Sequence, residues 1–554
     1  MTDTKSIRPR PGPGPRPGPT PTPTHSGARR AAHPALVLLI IAGAQLMVVL
    51  DATIVNVALP TMANHFDKSQ VDMTWAINAY SLAFGGLLLL GGRSGDILGK
   101  RRMFAVGLGL FTFGSLLAGM APNFGLLLAG RVVQGLGGAI AAPTALSLIA
   151  VEFEEGKARN RAIAVYAAVS GAGAALGLLL GGILTEWAGW RWIFFVNIPI
   201  GIVLITGAFF YIHEAPRITG RFDVLGALLS VAGMTTLVYA FIHVAHDGWS
   251  NGQTVLLFGL AIVLLVGFVL YEAFGAESPM MPLRIFENRS RAGGYLVMLV
   301  VGAAMFGMFL YVSFFIQGVL EYSALKTGLA FLPFPFTVGI TSQIAARLLP
   351  RLGPKVIITF GTSTLTLGMI WMSRVSANTQ YFPDLLFPLL VLAFSMACLF
   401  VPLTVVATSK VADRDQGLAS ALLNVGQQVG GALGVSILAS VFATGAKNEG
   451  KHQAAALAAD KQHLSNLDVL SGASQGLKTS PNLHIPITPG TVSTAHSDNV
   501  AVQAIHAVQA HGSAVAFLTA AIMAGFAVLV AALVIQVKKS DLPDEVSPET
   551  LVAA

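Results

Sequence analysis

Two charged residues lie inside otherwise apolar segments of this 554-residue chain. Asp51 follows the uncharged run ALVLLIIAGAQLMVVL, and Arg131 lies within FGLLLAGRVVQGLGGA. An Asp at the centre of a bilayer costs about 3 kcal/mol on insertion scales. A nearby cation can offset that cost, and a buried carboxyl group can also take up and release a proton. The chemistry that these residue types offer is therefore ion pairing or proton exchange.

The two charges are expected at the same depth. Asp51 precedes Pro60 by nine residues, so it lies about 13 Å from the end of the first helix. Arg131 follows Asn123 by eight residues, so it lies about 12 Å into the fourth helix from the same side. Two interpretations remain open: a static ion pair, or an acid in a polar cavity whose proton a substrate displaces.

The composition indicates an integral membrane protein. Hydrophobic residues make up 54% of the chain and charged residues 11%, whereas soluble domains carry about 25% charged residues. The single cysteine, Cys398, lies in an apolar run. The sequence therefore predicts neither a disulfide framework nor a metal site.

Fourteen segments are long and apolar enough to cross a bilayer, which needs about 20 residues per helix. Short loops between so many spans predict an all-α bundle, since only helices or closed barrels satisfy their backbone in lipid. The predicted spans are 35–59, 73–92, 103–121, 124–150, 162–185, 192–212, 223–243, 253–273, 292–317, 327–347, 356–374, 383–408, 417–442 and 513–537.

The distribution of Lys and Arg predicts the orientation of the chain. With both termini in the cytoplasm, the inner segments hold 25 of the 34 basic residues, as the positive-inside rule requires. The net charge of +7 is then explained by topology, and nucleic-acid binding is not expected. The predicted location is the cytoplasmic membrane.

An internal repeat divides the chain into two pseudo-symmetric halves. LGKRRMFAVG (98–107) and LGPKVIITFG (352–361) share Leu, Gly, a basic residue and Gly at matching positions. Repeats of this kind are typical of secondary transporters, which bind substrate between the halves. The natural division is six helices, a two-helix linker and six helices.

The domain boundaries follow from that division. The predicted regions are a disordered Pro- and Arg-rich tail (1–34), an N-terminal half (35–212), a linker (213–291), a C-terminal half (292–537) and a second tail (538–554). The C-terminal half includes a polar stretch, 443–512, with six of the twelve histidines. We expect this stretch to be a solvated extracytoplasmic loop.

Several stretches resemble the major facilitator superfamily and, more narrowly, its drug:proton antiporter family with fourteen spanning helices. They are LDATIVNVALP (50–60), GGRSGDILGKRR (91–102), RVVQGLGGA (131–139) and WRWIFFVNIPIG (190–201). The resemblance implies alternating access, a small-molecule substrate and a proton gradient as the energy source. No cofactor is expected, and GDILGKRR lacks the Ser or Thr of a phosphate-binding loop.

The loop between helices 2 and 3 is similar to the superfamily pattern G-x-L-x-D-R-x-G-R-R. Ser94 and Ile97 depart from that pattern. The resemblance implies that the loop latches the inner gate across the two halves in the outward-facing state. The matching residues are Gly92, Asp96, Gly99, Lys100 and Arg101.

Helix 5 is similar to the G-x-x-x-G-P-x-x-G-G pattern of the family's proton antiporters. Leu178 replaces the proline, which leaves importers of the same fold as an alternative. Independently of any transport role, small residues allow two helices to pack closely. The glycines concerned are Gly173, Gly177, Gly181 and Gly182.

Amide side chains on three helices are candidates for a substrate cavity between the halves, although such groups also join helices within a membrane. The thirteenth predicted span, 417–442, contains no acid, so few protons are expected per transport cycle. The candidates are Gln134, Gln317, Asn424, Gln427 and Gln428.

The sequence as a whole predicts a proton-coupled exporter of hydrophobic or cationic small molecules. We expect a monomer in the lipid bilayer and no enzymatic activity. An importer or symporter of a small solute with the same fold, and a membrane sensor or lipid handler without transport, remain the alternatives.

Overall fold

The computed structural model describes residues 33–154, 156–214, 217, 220–409, 411, 415–459 and 496–537. Most of the predicted N-terminal tail, the predicted C-terminal tail and residues 460–495 of the predicted loop lie outside them. The described residues form α-helices with short 3₁₀ and π segments and no β-strand.

The helices confirm the predicted all-α membrane bundle. Fourteen candidate membrane spans occur among the described residues, and α6 with α7 and α11 with α12 each form one of them. The helices are α1 (Pro34–Phe66), α2 (Gln70–Leu98), α3 (Lys100–Gly119), α4 (Phe124–Glu152), α5 (Lys157–Trp187), α6 (Trp192–Phe195), α7 (Asn197–Tyr211), α8 (Val224–Asp247), α9 (Gly252–Leu270), α10 (Arg289–Gly318), α11 (Ala324–Phe331), α12 (Pro333–Leu352), α13 (Pro354–Met372), α14 (Leu386–Thr408), α15 (Gln416–Ala459) and α16 (His496–Leu533).

Proline explains why two spans are divided. Pro199 lies at the third position of α7 and Pro333 at the first position of α12. Because proline has no N–H, it cannot bond the carbonyl four residues earlier, and the helix is interrupted there. For Pro199 that carbonyl belongs to Phe195, the last residue of α6. This break places Asn197 at the start of α7, which matters for the site described below.

The linker hairpin, α8 and α9, lies beside the boundary between the two halves. An apolar cluster contains Val71 and Leu82 of α2, Val238 of α8, and Ala432 and Ala439 of α15. One linker helix therefore packs against both the N-terminal half (α1–α7) and the C-terminal half (α10–α16).

The structure differs from the predicted loop 443–512 at both of its ends. Helix α15 continues to Ala459, and α16 begins at His496, so both ends of the predicted loop are helical. The continuation of α15 ends in QAAALAA, and alanine has the highest helix propensity. Ala446 of α15 and Val508 of α16 are buried, which shows that tertiary packing supports these extensions.

Candidate functional site

Asp51 of α1 and Arg131 of α4 are in direct contact within the N-terminal half. Arg131 Nη1 lies 2.5 Å from Asp51 Oδ2. The exposed fraction of the side chain is 0% for Asp51 and 1% for Arg131. Each charge thus compensates the other where neither can be hydrated.

The Asp51 carboxylate accepts further hydrogen bonds from two amides. Gln134 Nε2 donates to Asp51 Oδ1 at 2.8 Å, and Asn197 Nδ2 donates to the same oxygen at 3.1 Å. Both amides also donate to Ser115 Oγ of α3, at 2.7 and 3.3 Å. Four helices therefore meet around one carboxylate, and both of its oxygens are bonded.

Besides Asp51, two hydrogen-bond acceptors and the rings of Tyr80 and Phe194 surround the Arg131 guanidinium. Its Nε donates to the Ala76 carbonyl at 2.8 Å, and its Nη1 donates to Gln134 Oε1 at 3.0 Å. The ring of Tyr80 lies under the guanidinium, with Cζ 4.4 Å from the ring centroid. A cation over an aromatic face gains about 2 kcal/mol or more when it is desolvated.

Close helix packing brings these side chains together. A Cβ on Gly114 of α3 would lie 2.6 Å from the Gln134 backbone nitrogen, and one on Gly135 of α4 would lie 2.5 Å from the Tyr80 carbonyl. No side chain fits at such distances, so α4 approaches both α3 and α2 backbone to backbone. Ser115 and Tyr80 consequently lie beside α4 residues of the cluster.

Three members of this cluster were not predicted: Tyr80, Ser115 and Asn197. Each lies in a largely apolar segment that also holds other polar or aromatic residues, which is common in a membrane helix. Asn197 carries the clearest signal, since it lies two residues before Pro199 in FFVNIPIG, where a helix break is expected. Only the packing of α7 against α1 and α3 shows that its amide reaches Asp51.

The predicted gating loop makes its described contacts within the N-terminal half and with Glu214 at the start of the linker. Lys100 Nζ lies 3.4 Å from Asp96 Oδ1, and Gly92 faces Pro143 of α4. Gly99 has a φ of 110° and ends α2, a conformation that favours glycine. The Arg101 backbone N–H donates to Glu214 Oε1 at 3.1 Å. The predicted bond across the halves concerns another conformational state and stays a prediction.

The glycines of α5 lie where this helix packs closely against its neighbours. Added Cβ atoms at Gly173, Gly177 and Gly181 would meet atoms of α1 within 3.2 Å. One at Gly182 would lie 2.6 Å from the Ala324 carbonyl of α11. The glycine face therefore contacts α1 first and the opposite half at its far end.

The amides predicted for a substrate cavity do not form one cluster. Gln134 is fully buried and bonds Asp51, so in this structure it does not face a space between the halves. Gln317 bonds the Val57 carbonyl at 3.1 Å, between the halves. The other three lie on α15: Asn424 is exposed, while Gln427 and Gln428 are half-buried.

Comparison with protein families decides the identity of this fold. The profile of the Major Facilitator Superfamily matches residues 41–435. The chain belongs to the Major Facilitator Superfamily.

Relatives within the superfamily agree with this assignment. The puromycin resistance protein pur8 of Streptomyces alboniger is 42% identical over 415 residues, covering 74% of this chain and 82% of that protein. The cephamycin export protein CmcT of Amycolatopsis lactamdurans is 35% identical, covering 73% of this chain and 84% of that protein. A crystal structure of a bacterial homologue of the human lysosomal transporter Spinster, in an inward-facing and occupied conformation, matches with a TM-score of 0.64 and 14% identity, covering 92% of this chain and 98% of that one. That last likeness shows a shared fold.

The two halves of this superfamily member are joined at one end of the bundle by a set of hydrogen bonds, which we call the seam. Its members lie near the end of α1, the start of α2 and the end of α5, and they meet residues of α10, α11 and α15. The seam bonds between described residues are Asn78 Nδ2 to Ser436 Oγ (2.8 Å), Ser313 Oγ to the Asn56 carbonyl (3.0 Å), Gln317 Nε2 to the Val57 carbonyl (3.1 Å) and Leu325 N–H to Glu186 Oε2 (2.9 Å).

Pro60 explains one of the seam bonds. It lies inside α1 and has no N–H, so it cannot bond the Asn56 carbonyl four residues earlier. Ser313 of the opposite half donates to that carbonyl instead. A proline in one half thus creates the acceptor that the other half uses.

Proposed function

We propose that this chain exports hydrophobic or cationic small molecules across the cytoplasmic membrane in exchange for protons, by alternating access. The observation that carries the proposal is Asp51, a titratable carboxyl group buried inside one half and bonded to Arg131. An acid in such a place can exchange its proton when the surrounding bonds change. Two relatives are named as a resistance protein and an export protein, which favours export over import.

The orientation that we propose has both termini in the cytoplasm, as the Lys and Arg distribution indicates. The seam then lies at the extracytoplasmic end, because α1 runs outward to His65 and α2 begins there. When the two halves are in contact at the extracytoplasmic end, the transporter is in the inward-facing state of the transport cycle.

Reporter fusions test this orientation. A reporter inserted in 460–495, between α15 and α16, is expected outside the cell, and one fused after Lys539 inside. The reporter is an enzyme that is active on only one side of the membrane, so its activity shows on which side each fusion point lies. If both fusions report the same side, the number of spans is wrong.

Transport in everted vesicles with an acidified lumen tests the function. Puromycin, a cephamycin and the cationic dye ethidium serve as probes, and vesicles lacking the protein are the control. An exporter accumulates at least one probe when the lumen is acidic and loses it when an ionophore removes the gradient. Acid-driven release of preloaded probe would indicate an importer, and the absence of any flux would favour a sensor or lipid handler.

Asp96→Asn is expected to slow transport severalfold while leaving equilibrium binding of the probe nearly unchanged. Asp96 lies at the end of α2, far from Asp51, so it affects the exchange between states more than the site itself. Turnover and binding affinity are measured separately, with Asp67→Asn as a control acid outside the loop. A large loss of affinity at normal turnover would contradict the gating role.

Removal of two seam bonds is expected to shift the protein toward the outward-facing state. Ser313→Ala with Gln317→Ala removes two side-chain bonds to α1 carbonyls, each worth about 1 kcal/mol, or about fivefold in population. Spin labels at Lys68 and Lys326, in a Cys398→Ala background, report the distance across the seam. The control Ser395→Ala, whose hydroxyl bonds within its own half, should leave the distance distribution unchanged. An unchanged distribution in the double variant would refute the role of the seam.

A further inference from the structure

The cluster around Asp51 contains a buried acceptor without a partner. In the described part of the chain, Asn197 Oδ1 has no hydrogen-bond partner, although the Asn197 side chain has no exposed surface. An unsatisfied buried polar group is costly and rare in folded proteins. A partner for Asn197 Oδ1 is therefore expected in another state of the site.

The orientation of the Asn197 amide is set by the ionised form of Asp51. Its Nδ2 donates to Asp51 Oδ1 at 3.1 Å and to Ser115 Oγ at 3.3 Å. A flipped amide would direct Oδ1 at the carboxylate oxygen, and two acceptors would then repel each other. The carboxylate thus selects the amide orientation that leaves Oδ1 unbonded.

Protonation of Asp51 reverses this requirement, because the carboxylic acid becomes a donor that needs an acceptor. Arg131 has no acceptor atom, and Gln134 Oε1 already accepts from Arg131. Ser115 Oγ already accepts from two amides. Two buried oxygens of the cluster then remain without a hydrogen-bond partner, Asn197 Oδ1 and the Tyr80 hydroxyl. Of these two side chains, Asn197 is the one that already bonds the Asp51 carboxylate.

We propose that Asn197 is a positioning residue that serves both protonation states of Asp51. It donates through Nδ2 to the carboxylate and, after its amide turns over, accepts the hydrogen bond of the carboxylic acid through Oδ1. The proton stays on Asp51 until it leaves for water or is displaced by substrate, and no bond to Asn197 other than a hydrogen bond forms or breaks. The inference rests on the proposed proton antiport.

The charged and titratable groups near Asp51 are consistent with this exchange. Arg131 of α4 loses its anionic partner when Asp51 is neutral, but the face of Tyr80 of α2 stays beneath it. Tyr166 of α5 donates to Gln45 at 2.6 Å, away from Asp51. Of the two amides that bond Asp51, Gln134 also accepts from Arg131 through Oε1, whereas the Asn197 amide can turn over without breaking a bond to Arg131.

Infrared difference spectra of the purified protein between acid and alkaline pH test the proposal without a ligand. The wild type is expected to show the carbonyl band of a protonated carboxylic acid that Asp51→Asn lacks. In Asn197→Leu that band should move to higher frequency, because hydrogen bonds to the acid are lost. Asn197→Gln, which keeps the amide, should restore the frequency toward that of the wild type.

The controls separate a positioning role from a structural one. Asn56→Leu removes a nearby buried amide that bonds the backbone of its own helix, and it should leave the Asp51 band unchanged. Asn197→Ala gives the same readout if the leucine variant does not fold. A wild-type band that is unshifted in the Asn197 variants would overturn the inference alone. The absence of an Asp51 band in the wild type would instead contradict the proposed function.

Discussion

Asp51→Asn is expected to abolish acid-driven accumulation of substrate in everted vesicles. The asparagine has nearly the shape of the aspartate and can still accept a bond from Arg131. It leaves the Arg131 charge uncompensated, so some loss of stability is expected, and transport is compared per amount of folded protein. It cannot bind or release a proton at ordinary pH, so the gradient no longer drives transport. The accumulation ratio should fall to that of vesicles without the protein, while downhill exchange of a neutral substrate persists in part.

Two further variants show whether this loss comes from the missing proton. Asp51→Glu keeps a titratable carboxyl group and should retain coupling with an altered pH optimum. Asp67→Asn removes an exposed acid at the end of the same helix, where φ is 56°, a conformation that asparagine tolerates. It should accumulate substrate like the wild type. Normal accumulation by Asp51→Asn would mean that the carboxylate is a structural ion pair.

Arg131→Met is expected to destabilise the protein strongly as well as to abolish transport. Removing one partner of a buried ion pair leaves an uncompensated charge, and the typical penalty is about 3–5 kcal/mol. The free energy of unfolding in mild detergent measures this. The double variant Asp51→Asn with Arg131→Met contains no buried charge at the site and should recover most of the lost stability, although it remains unable to couple transport to protons.

Arg102→Met serves as the control for the loss of an arginine. Arg102 is exposed, so the change in stability should be within about 0.5 kcal/mol. If the double variant is no more stable than Arg131→Met, the penalty comes from lost packing under the guanidinium, for example against Tyr80, and the charge argument fails.

The sequence predicted the fold because long apolar segments are a direct consequence of the bilayer, whereas the orientation that the distribution of Lys and Arg indicates stays a prediction. The fourteen spans follow from the length of each apolar run. The equal depths of Asp51 and Arg131 predicted that they lie close together, and the structure places them in contact. Their role in proton coupling stays a prediction.

The remainder of the site depends on which helices are neighbours, and periodicity within one helix does not give that information. Asn197 of α7 reaches Asp51, and Ser115 of α3 accepts from the two amides that bond Asp51. These contacts exist because small residues allow close packing and because Pro199 separates α7 from α6. Gln134 was assigned to the cavity because it is an amide in a membrane helix. Its contacts place it beside Asp51 instead. Likewise, the polar composition of 443–459 predicted a loop, whereas its packing and alanine content favour a helix.

The most direct test of the account is the release of protons when substrate is added to purified protein. In weakly buffered detergent solution, the wild type should release protons on addition of a compound that accumulates in vesicles, with an amplitude that depends on pH. Asp51→Asn should bind the compound and release none. If Asp51→Asn releases protons with the pH profile of the wild type, Asp51 is not the exchanging group and the central claim is wrong.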